Sequence, residues 1–319
     1  MPAIADKQID PFLRPLGILL RRSAAMDEET LMKLNRAQAK LMKGRWASLR
    51  TVMHEHYVRR PDGSWLRLCV VRKKGSRKTD CTGLLWIHGG GYAIGLPEQD
   101  VSFADLFCGD GSCVAVLPDY TLSPDAPYPP ALDDCSLALD WMYRCHAALG
   151  IRKDQLSVGG DSAGGGLCLA ECLYQRNIGH IPIAFAMPLY PMIDDRPTET
   201  NADNDAPVWD SNKNNAAWAM YLKGLKDIPV YAVPARETDY RGLPPMMTYV
   251  GDIEPFYAET LTLAGNLEKA GIAVEHRVFA GCFHGFDIVG GYAPKAIQAR
   301  RFLKQCFRHA QKAYFKDRG

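Results

Sequence analysis

Apolar residues along the chain fall into short runs separated by stretches of helical period. The runs predict eight strands, at His54–Arg59, Trp65–Val71, Gly83–Ile87, Cys113–Leu117, Leu156–Gly159, Ile183–Leu189, Met246–Val250 and Val274–Phe279. Between them the spacing predicts helices at Glu98–Cys108, Ala131–Leu149, Ala163–Gln175, Phe256–Ala270 and Pro294–Tyr314. The later strands lack polar alternation, as expected of strands covered by helices on both faces. The first two runs are joined by Arg60-Pro61-Asp62-Gly63-Ser64, whose Asp-Gly turn predicts an antiparallel hairpin. The expectation is an α/β fold with a mixed, mostly parallel sheet of eight strands.

Two segments break this rhythm. One is the first fifty residues, helical in pattern at Asp27–Met42; the other is Asp194–Gly224, a polar loop ending in an amphipathic run from Asn212 to Lys223. Insertions of this length in a compact domain tend to carry function. Both are expected to form a helical cap over the carboxyl edge of the sheet, where open α/β sheets bind ligands. The division is therefore 1–50 as the N-terminal part of the cap and 51–319 as the catalytic domain, with a second cap segment at 194–224.

Composition narrows the partners. A formal net charge of +2 from 38 basic and 36 acidic side chains offers no field to recruit nucleic acid or an anionic membrane. No run reaches the length of a membrane-spanning helix. Met1–Arg22, interrupted by Pro11 and Pro15 and carrying Asp6 and Asp10, does not read as a secretory signal, so a cytoplasmic location is expected. The ten cysteines are scattered through strands and helices without a CxxC, which favours reduced, buried thiols. His54 and His56 share one side of a strand, but no third ligand accompanies them, and no metal or other cofactor is expected.

Three short segments carry chemistry, each at the end of a predicted strand. Gly160-Asp161-Ser162-Ala163-Gly164 lies between a strand and a helix. Its small residues allow the sharp turn that presents a serine hydroxyl above the sheet, at a helix N-terminus that favours developing negative charge. GxSxG alone is a weak signal; its strand–turn–helix setting strengthens it. His88-Gly89-Gly90-Gly91 follows the strand Gly83–Ile87, and its unshielded N–H groups suit an oxyanion hole, a known companion of such an elbow. The expected donors are Gly89, Gly90 and Ala163, with His88 bracing the loop. His284 follows the last strand and is the candidate base that takes the proton of Ser162. The loop after the preceding strand offers two acids, Asp252 and Glu254. The order serine, acid, histidine follows. Tyr92, Tyr190, Trp209 and Phe286 flank these motifs and are candidates for the substrate pocket.

These motifs, with the segment Asp119-Tyr120-Thr121-Leu122-Ser123-Pro124 running to Asp133-Asp134 between them, resemble the hormone-sensitive-lipase-like (family IV) esterases, bacterial acetyl esterases in particular. The resemblance runs from about Gly83 to the C-terminus. It implies an α/β-hydrolase fold with a helical cap. It places Glu254 at the acid position, where Asp is commoner, and leaves Asp252 as the second candidate. It further implies a cofactor-free serine carboxylesterase acting on short-chain acyl esters, and a homodimer through an edge strand. An amidase, arylformamidase or lactone hydrolase could use the same scaffold. A non-catalytic small-ligand receptor of this fold would be expected to lack His284.

Overall fold

The computed structural model describes residues 4–21 and 27–314. Residues 1–3, 22–26 and 315–319, which the expected divisions and the reading of the N-terminus include, lie outside the described residues. The chain begins with α1 (Arg14–Leu20) and α2 (Glu28–Met42). The hairpin β1 (Thr51–Arg59) and β2 (Trp65–Lys73) follows, then β3 (Cys81–Ile87), α3 (Val101–Cys108) and β4 (Cys113–Pro118). Next come α4 (Pro130–Arg144), α5 (His146–Leu149), β5 (Ile151–Asp161), α6 (Ala163–Asn177) and β6 (Phe185–Leu189). The last part is α7 (Ser211–Tyr221), β7 (Met246–Gly251), α8 (Tyr257–Lys269), β8 (Val274–Phe279), α9 (Phe286–Val289) and α10 (Pro294–Ala313).

All eight strands join one sheet in the order β1-β2-β4-β3-β5-β6-β7-β8. β2 pairs antiparallel with both β1 and β4, and every other pairing is parallel. The hairpin turn closes through Arg60 N–H to Ser64 O at 2.8 Å. Two expected helices differ in outline. The one expected over Ala131–Leu149 breaks at Cys145 into α4 and α5. That expected from Glu98 starts as a 3₁₀ turn over Pro97–Asp100 before α3. β5 begins five residues earlier than the apolar run suggests, because Cys81 and Thr82 of β3 supply ladder partners for Ile151 and Arg152.

Successive residues of β3 face opposite ways, and they separate two cores. Leu85 and Ile87 pack with residues of α4, α6 and α8, including Leu139, Leu169 and Leu263. Leu84 and Trp86 pack with Phe103 and Phe107 of α3 and Phe302 and Phe307 of α10. The central helix α6 is buried without interruption from Ala163 to Leu173, which explains why its sequence shows little amphipathic contrast. All ten cysteines are free thiols, and nine of them are buried. Among the described residues no helix is long and apolar enough to cross a membrane.

The strand order positions the site. β3 lies beside β5, so the glycine loop leaving Ile87 stands next to the turn leaving Asp161. β7 lies beside β8, so the loops that follow them also meet.

Candidate active site

The turn after β5 holds Ser162 at φ +55° and ψ −120°, a conformation that L residues rarely adopt. The surroundings hold it there. Its N–H donates to Leu189 O at 3.0 Å, and its carbonyl accepts from Gly166 N–H and Met192 N–H, each at 3.0 Å. Gly164 must be small because a Cβ there would lie 2.0 Å from Ile87 O, so the elbow is pressed against the end of β3. The serine hydroxyl lies 2.8 Å from His284 Nε2.

His284 sits on the loop after β8, and its Nδ1 lies 2.5 Å from Glu254 Oε2. The other oxygen of Glu254 accepts from Gly251 N–H at 2.8 Å. Glu254 is fully buried, and burial pushes its carboxyl above the ordinary glutamate value against the pull of His284 and the Gly251 amide. The structure thus separates the two carboxylates that the sequence offers in this loop. Asp252 turns the other way and accepts from Gly281 N–H at 2.6 Å, so it braces the histidine loop without touching the imidazole. The same loop is held from the N-terminal side, where Asp10 N–H donates to Gly281 O at 2.8 Å.

The glycine loop corrects one expectation. Gly89 N–H donates to Asp161 Oδ1 at 3.1 Å and is therefore not free for a substrate oxygen. Burial raises the Asp161 carboxyl well above the usual aspartate range, and the nearby Asp100 and Asp287 carboxyls raise it further. The amides of Gly90, Gly91 and Ala163 have no hydrogen-bond acceptor among the described residues. Gly90 occupies φ +120°, where a Cβ would lie 1.8 Å from Ile94 O, so the loop reverses only with glycine there. His88 is buried against the ring of Tyr120 at 4.3 Å, with Nδ1 2.8 Å from Gly89 O. Burial pushes its pKa down to about 4, which keeps this imidazole neutral.

A cavity of about 330 Å³ opens onto Ser162 and His284. Its walls are mainly apolar: Leu31 and Leu34 from α2, Ile94 from the glycine loop, Val208 and Trp209 before α7, and Ile288 and Val289 from α9. Of the four aromatic residues expected in the pocket, Trp209 lines it. Tyr92, Tyr190 and Phe286 do not, and each has a packing reason. Tyr92 stacks on Tyr221 at 3.9 Å and donates to Met192 O at 2.7 Å. Tyr190 lies behind His284, edge-on at 4.9 Å, with its hydroxyl donating to Asp287 at 2.8 Å. Phe286 packs in the core against Tyr249 and Phe279. Val208 takes φ +71°, an outlier for a β-branched residue, at the point where Trp209 is turned onto the cavity.

Several contributors escaped the sequence reading. On α2, the spacing Leu31, Leu34, Asn35, Gln38 marks one helix face. Asn35 Nδ2 donates to Ala93 O at 2.9 Å, and its Oδ1 accepts from Gly95 N–H at 3.3 Å. Gln38 donates to Gln99 at 3.3 Å, and Gln99 donates to Gly89 O at 3.3 Å. The helical period of α2 could have shown its inward face; the loop it meets, about sixty residues away in sequence, could not be read from it.

The comparisons with known proteins agree with this architecture. A family model described as the alpha/beta hydrolase fold matches residues 84–288. The chain is similar to Carboxylesterase NlhH of Mycobacterium tuberculosis, 29% identical over 223 residues covering 68% of this chain and 70% of that one. It is also similar to Esterase LipI of the same organism, 30% identical over 230 residues, with 68% and 69% covered. Among solved structures, a bacterial heroin esterase superposes with a TM-score of 0.86 at 28% identity, covering 96% of this chain and 99% of that one. Esterase LipW from Mycobacterium marinum gives 0.82 at 25% identity, covering 97% and 98%. With the family model spanning more than half of its residues, the chain belongs to the alpha/beta hydrolase family, in its hormone-sensitive-lipase-like branch.

Proposed function

We propose that the protein is a serine carboxylesterase that hydrolyses short-chain acyl esters. The observation that carries this reading is the continuous chain Ser162 Oγ, His284 Nε2, His284 Nδ1, Glu254 Oε2, with steps of 2.8 Å and 2.5 Å. In the mechanism, Ser162 attacks the ester carbonyl while His284 takes its proton. Glu254 holds the imidazole with Nε2 toward the serine and stabilises the imidazolium that forms. The carbonyl oxygen, now negative, accepts from the amides of Gly90, Gly91 and Ala163. His284 then returns the proton to the leaving alcohol, and water repeats the sequence on the acyl-serine. Burial disfavours the ionised form of Glu254, and the bonds from His284 and the Gly251 amide offset that cost.

The cavity supports the preference for short chains: at about 330 Å³ it lies at the small end of ligand pockets. In this reading α2 and the segment from Asp194 to Gly224 act as the cap that bounds it. The test is hydrolysis of p-nitrophenyl acetate, butyrate, octanoate and palmitate by the wild type and by Ser162→Ala. Turnover of the two shorter esters that vanishes in the variant is the expected result. Folded wild type inert toward all four would overturn the proposal and favour an amide or lactone substrate.

A further inference from the structure

We propose that Lys213 makes the enzyme selective for esters carrying a second, uncharged acceptor oxygen, which its ammonium binds inside the Ser162 cavity. This deepens the esterase reading and rests on it. The inward face of α7 is Lys213, Asn214, Ala217, Trp218 and Tyr221, at spacings of one helical turn. Ala217 lies against the glycine loop, since its Cβ would be 3.1 Å from a Cβ on Gly91. Lys213 stands one turn nearer the helix start on that face, and it lines the cavity with Ser162 and His284. A leucine there would match the apolar walls at lower cost, because fixing a lysine loses more rotamer freedom. Yet Lys213 is only 8% exposed.

Its bonding is incomplete. An ammonium has three donors. One reaches Asp210 Oδ2 at 2.7 Å, and no other acceptor for it exists among the described residues. Gln99, the side-chain amide on the wall, accepts from Gln38 and Leu96 N–H and gives one of its two amide hydrogens to Gly89 O. Lys213 is therefore, among the described residues, the wall's charged side-chain donor with two N–H groups to spare. Asp210 also decides the charge of the preferred group. The pair Lys213–Asp210 is close to neutral, so a substrate carboxylate would give up its water for little net attraction and meet Asp210 nearby. An ether, hydroxyl or second carbonyl gives up less on entering the cavity and still gains a charge-assisted hydrogen bond.

The experiment uses two near-isosteric ester pairs that differ by one oxygen. 2-Methoxyethyl acetate against butyl acetate places the oxygen on the alcohol side. p-Nitrophenyl methoxyacetate against p-nitrophenyl butyrate places it on the acyl side. The readout is the ratio of kcat/KM within each pair, compared between wild type and Lys213→Met, so that intrinsic differences in ester reactivity cancel. A loss of about tenfold in the preference for the oxygen-bearing ester is expected in at least one pair, the scale of a hydrogen bond to a charged group. Lys213→Arg should keep most of that preference. The α7 cap from Asp210 to the Lys213 N–H involves backbone and survives the substitution; Lys213→Leu, equally without a donor, gives the same comparison if the methionine variant does not fold. Ester turnover with ratios unchanged within twofold in both pairs overturns the role of Lys213 alone. A folded wild type that turns over none of the four esters overturns the esterase reading and this inference with it.

Discussion

On the sheet side of the cavity, Ser162, Glu254 and His284 are all buried, with Ser162 bonded to Leu189 at the end of β6 and Glu254 to Gly251 at the end of β7. On the opposite side, α2 buries a single residue, Leu31, touches the glycine loop through the amide of Asn35 and, by way of Gln99, that of Gln38, and reaches the wall through Leu34. One side fixes geometry by close packing and strained backbone; the other meets it through a few side-chain hydrogen bonds. The contrast follows from what each side has to do. Proton transfer demands separations near hydrogen-bond length, whereas a wall that bounds a substrate tolerates looser attachment. The two sides also differ in their ionisation. The sheet side holds carboxyls raised by burial, while Asp27 at the start of α2 is held below its ordinary value by the hydroxyl and amide of Thr30.

Breaking the sheet side should be costliest at the acid. Glu254→Gln should lower kcat by about 10³–10⁴ while Asp252→Asn stays within about threefold, because the lost carboxylate orients and stabilises the imidazole. Comparable losses in both variants would mean that the histidine loop, rather than the Glu254 contact, was what mattered. Gly90→Ala comes next. Displacing that loop from under its own amides should cost about 10²–10³ in kcat, with KM read alongside to separate binding from turnover.

Glu171, buried in α6 and accepting from Ser136 at 2.5 Å and from Gln175 at 2.8 Å, tests the ionisation contrast. Burial pushes it from 4.5 up to about 7. A carboxyl raised in the folded state favours folding at low pH, and that advantage is lost as pH rises through the raised value. Denaturant unfolding of wild type and Glu171→Gln at about pH 5 and pH 8 should therefore show the wild type losing on the order of 3 kcal/mol more than the variant. Equal losses would show that Glu171 does not carry this ionisation cost. Asp27 has the opposite sign: its contribution holds above 3.8 and fades as pH falls through the depressed value, so α2 amides should lose exchange protection on acidification.

The smallest effect belongs to the α2 side. Asn35→Ala removes two hydrogen bonds to the glycine loop and should lower kcat about fivefold, near 1 kcal/mol, with little change in melting temperature. A loss as large as that of Gly90→Ala would erase the distinction between the two sides.

The central strands were legible because apolar runs of strand length bounded by turns have few other uses, and parallel strands inside a sheet are buried on both faces; the edge strands β1 and β8 are mostly exposed. Ser162 and His284 were legible from their places at strand ends, and the family pattern selected Glu254 over Asp252. What the local sequence could not resolve is where each group spends its hydrogen bonds. Gly89, Gly90 and Gly91 look alike in a line of text, and only the approach of Asp161 takes up the first amide. Tyr92, Tyr190, Trp209 and Phe286 all flank catalytic motifs, and only the packing of Tyr221, Asp287 and Tyr249 against three of them leaves Trp209 on the cavity. The sequence by itself determined the order of strands along the chain, the serine turn and the histidine, because each follows from residue type and spacing within a few positions. The tertiary structure alone decided the acid's contact, the free amides and the placing of Lys213 on the cavity wall, because those depend on neighbours tens of residues away competing for the same donors, acceptors and space.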